Sequence, residues 1–306
     1  MTEMSSRLSG PASHTVTARS VWPKPINTLI NALINFLTRP RRLAPLLACA
    51  WMILIAGFAF APHWFTAYDP LEGDVLASLA APDAEHFLGT DKLGRDVFAR
   101  IVYGARFSLG VGLGAVAISV AFGVLLGLIA GQRQRVLDEG FSRLFDVVSA
   151  YPGVLLAMLL ITFLGGSLVN VAIAVGIAGI PKFGRVVRAQ TKAVQDADYV
   201  VQASIYGRSR FSAFLVHVVP NVLTVVPVVA TISVGTAILT TSGLSFLGLG
   251  PQPPTPEWGL MLAESRDYLR TAWWTGVLPG IAITLTVIAF AVLGGSLQRH
   301  IEGRAP

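Results

Sequence analysis

The feature that most limits how this chain can fold is a series of long apolar runs. Residues 43–62 and 107–130 contain no charged side chain, and each is near the ~20 residues a helix needs to cross a bilayer. Residues 147–180 form a third apolar stretch, interrupted at Gly165-Gly166-Ser167, which reads as one long helix or as two spans at 147–165 and 168–184 joined by a tight turn. Two more runs lie at 221–241 and 276–298. Only 13% of residues are charged and the mean hydropathy is +0.64, against about 25% charged residues in average soluble domains. The expected fold class is therefore an all-α membrane protein.

The distribution of cations decides the number of spans. With six, one side of the membrane holds six Lys and Arg in residues 1–42, three in 131–146, six in 182–216 and two in 299–306. The other side holds four in 63–106 and two in 244–275, a split of 17 against 6. Five spans would give about 11 against 12. The positive-inside bias favours six transmembrane helices with both termini cytoplasmic. The net charge of +6 is thus topogenic and does not point to nucleic acid, because the cations sit in short loops between apolar runs.

Residues 1–25 are polar, lack the apolar core of a signal peptide, and read as a disordered tail. A stripe of Ile26, Leu29, Ile30, Leu33, Ile34 and Leu37 against Asn27, Asn31 and Asn35 predicts an amphipathic helix over 26–37. It either lies on the cytoplasmic membrane face or packs on another subunit. The single cysteine, Cys49, permits no intrachain disulfide. Within the second run, Gly123, Gly127 and Gly131 make a ridge that lets another helix approach closely. Gly110, Gly112 and Gly114 do not form a nucleotide loop, since no strand precedes them.

Several chemistries are missing. The chain contains no Gly-Lys dipeptide and so no phosphate-cradling P-loop. It also lacks His-Glu-x-x-His, Cys-x-x-Cys and Gly-x-Ser-x-Gly. His63, His86, His217 and His300 are scattered, so neither a catalytic set nor a metal site is expected. The runs read as free of Asp, Glu, Lys and Arg at mid-membrane depth, whereas ion-coupled carriers need such groups.

Between two apolar runs lies a basic segment, 182–221, with Tyr199, Val201, Gln202, Ala203, Gly207, His217, Pro220 and Asn221. Two helical runs, 193–206 and 209–217, are predicted to flank Gly207, whose tolerance of positive φ lets the chain reverse. Pro220 is expected to open the next run. Ala203 lies four before Gly207, His217 ten after it, and Pro220-Asn221 follow. This spacing resembles the cytoplasmic coupling loop of ATP-binding-cassette importer permeases, E-A-A-x-x-x-G followed by H and P-N. Val201-Gln202-Ala203 stands where that family has Glu-Ala-Ala, so the carboxylate is absent.

Two further segments carry Gly89, Thr90, Asp91, Gly94, Arg95, Asp96, Arg100, Gly104, Arg106, Ser108 and Leu109, and then 243–262 with Pro251, Pro253, Pro254, Pro256, Glu257 and Trp258. Their Gly and Pro content predicts rigid, non-helical surface loops. They resemble the dipeptide/oligopeptide/nickel branch of these permeases, specifically its second, C-type subunit, with the pattern G-T-D-x-x-G-R-D-x-x-x-R-x-x-x-G-x-R-x-S-L. The resemblance covers about 43–298. It weakens at Leu293-Gly294-Gly295-Ser296-Leu297-Gln298-Arg299, where acidic residues of the family pattern are missing.

The resemblance implies a permease domain over 43–298, with a coupling loop at about 182–220 and a short tail at 299–306. It implies no enzyme activity of the chain's own, with ATP and Mg held by partner subunits. The implied partners are a homologous second permease subunit, one or two cytoplasmic ATPases and an extracytoplasmic substrate-binding protein, in the cell membrane. Contacts to the ATPase are expected at Tyr199, Val201, Gln202, Ala203, Gly207, His217, Pro220 and Asn221. Contacts to the binding protein are expected at Asp91, Gly94, Arg95, Asp96, Pro254 and an outward-facing Trp258. The implied function is ATP-driven uptake of dipeptides or oligopeptides by alternating access. A nickel or metal-chelate importer of the same family and a non-transport membrane scaffold are the alternatives.

Overall fold

The computed structural model describes residues 43–301 and 303. The tail, the amphipathic helix expected at 26–37 and residues 304–306 lie outside the described residues. Among the described residues the chain is helical, with no strand beyond two isolated bridges, Gly73 to Arg95 and Thr90 to Asp96. The helices are α1 (Leu43–Phe60), α2 (Val97–Ala130), α3 (Arg135–Ser149), α4 (Gly153–Leu164), α5 (Leu168–Gln195), α6 (Asp198–Ile205), α7 (Arg210–Ala213), α8 (Val219–Leu223), α9 (Val226–Phe246), α10 (Trp258–Ser265) and α11 (Trp274–Ile301). Between α7 and α8 the chain takes one π-helical turn, Phe214–Val218.

Five of these helices, α1, α2, α5, α9 and α11, are long and apolar enough to cross a membrane. The expected span at 147–165 is different. Its residues divide between α3, which is amphipathic, and α4, and the two helices bend by 82° at the break. Tyr151-Pro152 causes it, because the residue before proline is pushed out of the helical region and proline has no N–H to continue the ladder. With 12 residues, α4 is about 18 Å long at 1.5 Å per residue, short of the ~30 Å hydrocarbon layer. The sixth crossing therefore depends on the bent pair acting together. Past Gly165, which has φ of 88°, Ser167 caps α5 and accepts from Asn170 N.

Other boundaries also move. Helix α2 begins at Val97, ten residues before the expected 107, because Asp96 caps it by accepting from Ala99 N at 2.6 Å. Residues 97–106 are thus helical and not a loop. Helix α5 continues past 184 to Gln195. The helical run expected at 193–206 is broken at Asp196-Ala197, where a new helix starts at Asp198. Pro220 does not open a spanning run. It sits in the first turn of α8, after a π turn whose shifted register removes the demand for an N–H there. The span itself starts at Val226.

The glycine ridge of α2 meets α5. A Cβ on Gly123 would lie 2.5 Å from Phe183 Cβ, one on Gly127 would lie 2.7 Å from Gly184 O, and one on Gly131 would lie 2.5 Å from Thr191 Cβ. Contact this close lets Ser119 Oγ donate across the helices to Gly176 O at 2.7 Å. Gly184 in turn receives the Phe145 ring of α3. A large core joins α1, α2, α9, α10 and α11 around Ile55, Val102, Ile238, Trp258 and Ile283. Trp51 Nε1 donates to Thr286 Oγ1, tying α1 to α11.

Candidate functional site

Two regions carry the distinctive residues, one at each end of α2. At its C-terminal end, Arg133 reaches Asp196 at 2.7 Å, beside the loop that carries α6 to α8. Helix α6 ends at a turn built on Gly207, which has φ of 88°. Arg208 N donates back to Ala203 O at 3.1 Å, the six-to-one bond of a helix stop made with a left-handed glycine. Ser209 then caps α7, accepting from Ser212 N.

The loop is held closed by its own side chains. Arg208 Nη1 donates to His217 Nε2 at 3.2 Å, and Tyr199 packs edge-on to the His217 ring with centroids 6.3 Å apart. Asn221 Nδ2 donates to His217 O at 2.7 Å. Tyr199, Arg208 and Asn221 therefore meet at His217, while Gly207 supplies the turn that brings Arg208 there. Val201 and Gln202 stand exposed on α6, Ala203 is half-buried, and Pro220 is exposed. Beneath them Val187, Val194, Val200, Val218, Val222 and Val226 form a buried cluster that fastens α6 and α8 to α5 and α9. Around the turn, Ile205, Tyr206 and Phe211 are 75%, 88% and 72% exposed.

The N-terminal end of α2 holds a buried ionic cluster. Asp91 accepts from Leu93 N and Arg95 N through Oδ1, and from Arg95 Nε at 2.7 Å through Oδ2. Glu264 of α10 lies 2.9 Å from Arg100 Nη2, 3.3 Å from Arg95 Nη2 and 3.5 Å from Lys92 Nζ. Arg95 and Arg100 are only 2% and 1% exposed. Arg100 Nη1 makes no hydrogen bond. A cavity of about 20 Å³ adjoins the cluster, large enough for a single water. Asp96, besides capping α2, contacts His86 Nδ1 at 2.9 Å. Gly94, with φ of 73°, leaves no room for a Cβ, which would run into the Asp74 carbonyl.

Trp258 corrects the expectation of an outward-facing aromatic. It is fully buried, its Nε1 donates to Ile101 O at 2.9 Å, and its ring lies against Gly104. Glu257 precedes it as the cap of α10, accepting from Gly259 N and Leu260 N at 2.9 and 2.8 Å and from Ser108 Oγ at 3.3 Å. Burial pushes its carboxyl pKa up. Arg95, Asp96 and Trp258 are thus held inside the structure, because a buried charge or ring nitrogen needs its partners there. Pro254 is exposed, together with Trp64, Leu76 and Phe87. The sequence reading named Glu257 without giving it a role and did not single out Glu264. Glu257 had a visible signal, an acidic residue just before Trp258-Gly259-Leu260, whereas Glu264 is matched to Arg100 only by folding.

The comparisons agree with this architecture. Residues 123–305 match the family described as binding-protein-dependent transport system inner membrane component. The chain is 43% identical over 260 residues to the dipeptide transport system permease protein DppC of Alkalihalophilus pseudofirmus, covering 84% of this chain and 85% of that one. It is 41% identical over 258 residues to the di/tripeptide transport system permease protein DppC of Pseudomonas aeruginosa, covering 82% and 85%. It is 40% identical over 258 residues to the glutathione transport system permease protein GsiD of Escherichia coli, covering 83% and 84%. The fold is similar to that of a solved structure described as an amino acid ABC transporter with histidines, with a TM-score of 0.53 at 13% identity over 66% of this chain and 94% of that one. Family match, close relatives and apolar helices together mean that this chain belongs to the inner-membrane components of binding-protein-dependent transport systems, as a multi-pass permease subunit of an ATP-binding-cassette importer.

Proposed function

We propose that this subunit forms half of the pathway of a peptide importer and that residues 198–223 dock into a groove on a cytoplasmic ATPase. The observation that carries the docking role is the Gly207 turn, which leaves Ile205, Tyr206 and Phe211 largely exposed beside Arg208 and Arg210. Apolar side chains grouped at a polar end favour a protein partner. The valine cluster beneath the turn makes α6 a lever on α5 and α9, so that closure of an ATPase pair would tilt the spans. A peptide substrate is supported by the dipeptide, di/tripeptide and glutathione transport named for the relatives.

On this reading both termini and the Gly207 loop are cytoplasmic, in keeping with the charge split. A homologous second permease completes the pathway, and one or two partner ATPases hold ATP and Mg. At the other face Asp91, Gly94, Arg95, Asp96 and Trp258 hold the shape of the surface, while Pro254, Trp64, Leu76 and Phe87 meet an extracytoplasmic binding protein.

Gly207→Val tests the docking role. No atom lies within 4 Å of a Cβ at this position, but φ is 88°, so the substitution strains the turn by about 1–2 kcal/mol without disturbing the core. The variant should insert in the membrane and lose capture of the ATPase from detergent extracts. Full capture and full transport would remove the coupling role from this loop.

A further inference from the structure

Four cations lie along the second half of α5: Lys182, Arg185, Arg188 and Lys192. Three have carboxylate partners on α3. Arg185 binds Asp146 at 2.9 Å, and Arg188 and Lys192 both bind Asp138 at 2.5 Å. Lys182 is turned about 60–120° around the helix from those three, given 3.6 residues per turn. Its Nζ donates instead to Ser233 Oγ of α9 at 2.9 Å. A serine hydroxyl satisfies one of three ammonium protons and neutralises no charge.

The position of Lys182 is unusual for a cation. It lies fourteen residues into α5, about 21 Å along a helix rising 1.5 Å per residue, in a layer of ~30 Å. A cation at such depth faces the bundle interior or a watery cavity, not lipid. Pro181, Phe183 and Gly184 beside it are buried, Phe183 and Gly184 against α2 and Gly184 also against α3, while Lys182 is exposed. It stands at the edge of the uncovered face of α9, where Ile232, Thr236, Leu239 and Gly243 recur at helical spacing.

We propose that Lys182, seated on Ser233, contacts the C-terminal carboxylate of a peptide in transit and is a specificity-determining residue of the translocation path. The proposal rests on the peptide-importer reading above. The group that fits is an anion able to accept from an ammonium, and a free carboxylate is what every unmodified peptide brings into the path. The other source of that chemistry is a carboxylate side chain of the second permease.

The test uses the whole importer reconstituted in vesicles with its binding protein and ATP, comparing wild type, Lys182→Gln and Lys182→Arg. Uptake of alanyl-alanine is measured against that of its C-terminal amide, and assembly is followed by co-purification of the second permease. Wild type should prefer the acid. Lys182→Gln should assemble and move the acid about tenfold more slowly, the loss of one charged hydrogen bond, down to the rate of the amide. Lys182→Arg should keep the preference. Equal slowing of acid and amide, unchanged uptake by Lys182→Gln, or no preference in wild type overturns the proposal. Loss of the second permease from Lys182→Gln also overturns it, because the carboxylate then belongs to that subunit. Wild type that hydrolyses ATP but takes up neither peptide overturns the substrate reading, and this inference with it.

Discussion

Replacing Glu264 by Gln probes the ionic cluster at the N-terminal end of α2. The two side chains have nearly the same shape, so packing is kept and only charge is removed. Glu264 serves Lys92, Arg95 and Arg100, of which the two arginines are 98–99% buried. After substitution Arg95 and Arg100 share Asp91 alone, and Lys92 loses its carboxylate partner. Leaving a buried charge without its partner costs about 3–5 kcal/mol. Glu264 is itself 12% exposed, so some screening remains and the lower end, about 3 kcal/mol, is expected. The assay is thermal unfolding of the purified complex in detergent, followed by tryptophan fluorescence. Trp258 and Trp274 are buried in the same region and report on it directly. Arg100→Met should also destabilise, and the double variant should be more stable than the sum of the two losses by about 1–3 kcal/mol, the coupling typical of residues in contact. A melting temperature unchanged in Glu264→Gln, or strict additivity in the double variant, would refute the view that these charges are mutually dependent.

Four other substitutions have definite outcomes. Gly127→Leu should abolish stable expression, because even its Cβ would lie 2.7 Å from Gly184 O, while Gly110→Leu, with nothing within 4 Å, should stay within about 0.5 kcal/mol of wild type; comparing expression by in-gel fluorescence checks both. Trp258→Phe should lower unfolding stability by about 1–3 kcal/mol, since Ile101 O loses its donor; a melting curve identical to wild type would contradict it. Burial raises the Glu257 pKa, so this residue contributes stability that is full below the unfolded carboxylate pKa and is lost as pH rises through the folded value. Stability of Glu257→Gln, measured by melting across that range, should therefore depend less on pH than that of wild type.

Much of the membrane architecture could be read along the chain, because a spanning helix satisfies its own backbone and needs only length and apolarity to be recognised. The runs at 43–62 and 276–298 correspond to α1 and α11, and the glycine ridge of α2 is a packing surface. Gly207 could be recognised for a similar reason: its turn depends on one backbone conformation that glycine adopts freely. Helix limits were less legible. Asp96 and Pro152 set the starts of α2 and α4, and short-range capping competes there with hydropathy averaged over many residues. What only the tertiary structure decided is which polar residues face inward. Trp258 and Arg95 looked like surface residues of Gly- and Pro-rich loops, yet each finds its partner far along the chain, Ile101 157 residues away and Glu264 169 residues away. The sequence carries the charge of Lys182, Arg185 and Arg188 but not their partners; packing of α5 between α3 and α9 gives two of them aspartates and leaves Lys182 with Ser233, because a partner at that range is set by where helices cross and not by spacing along one of them.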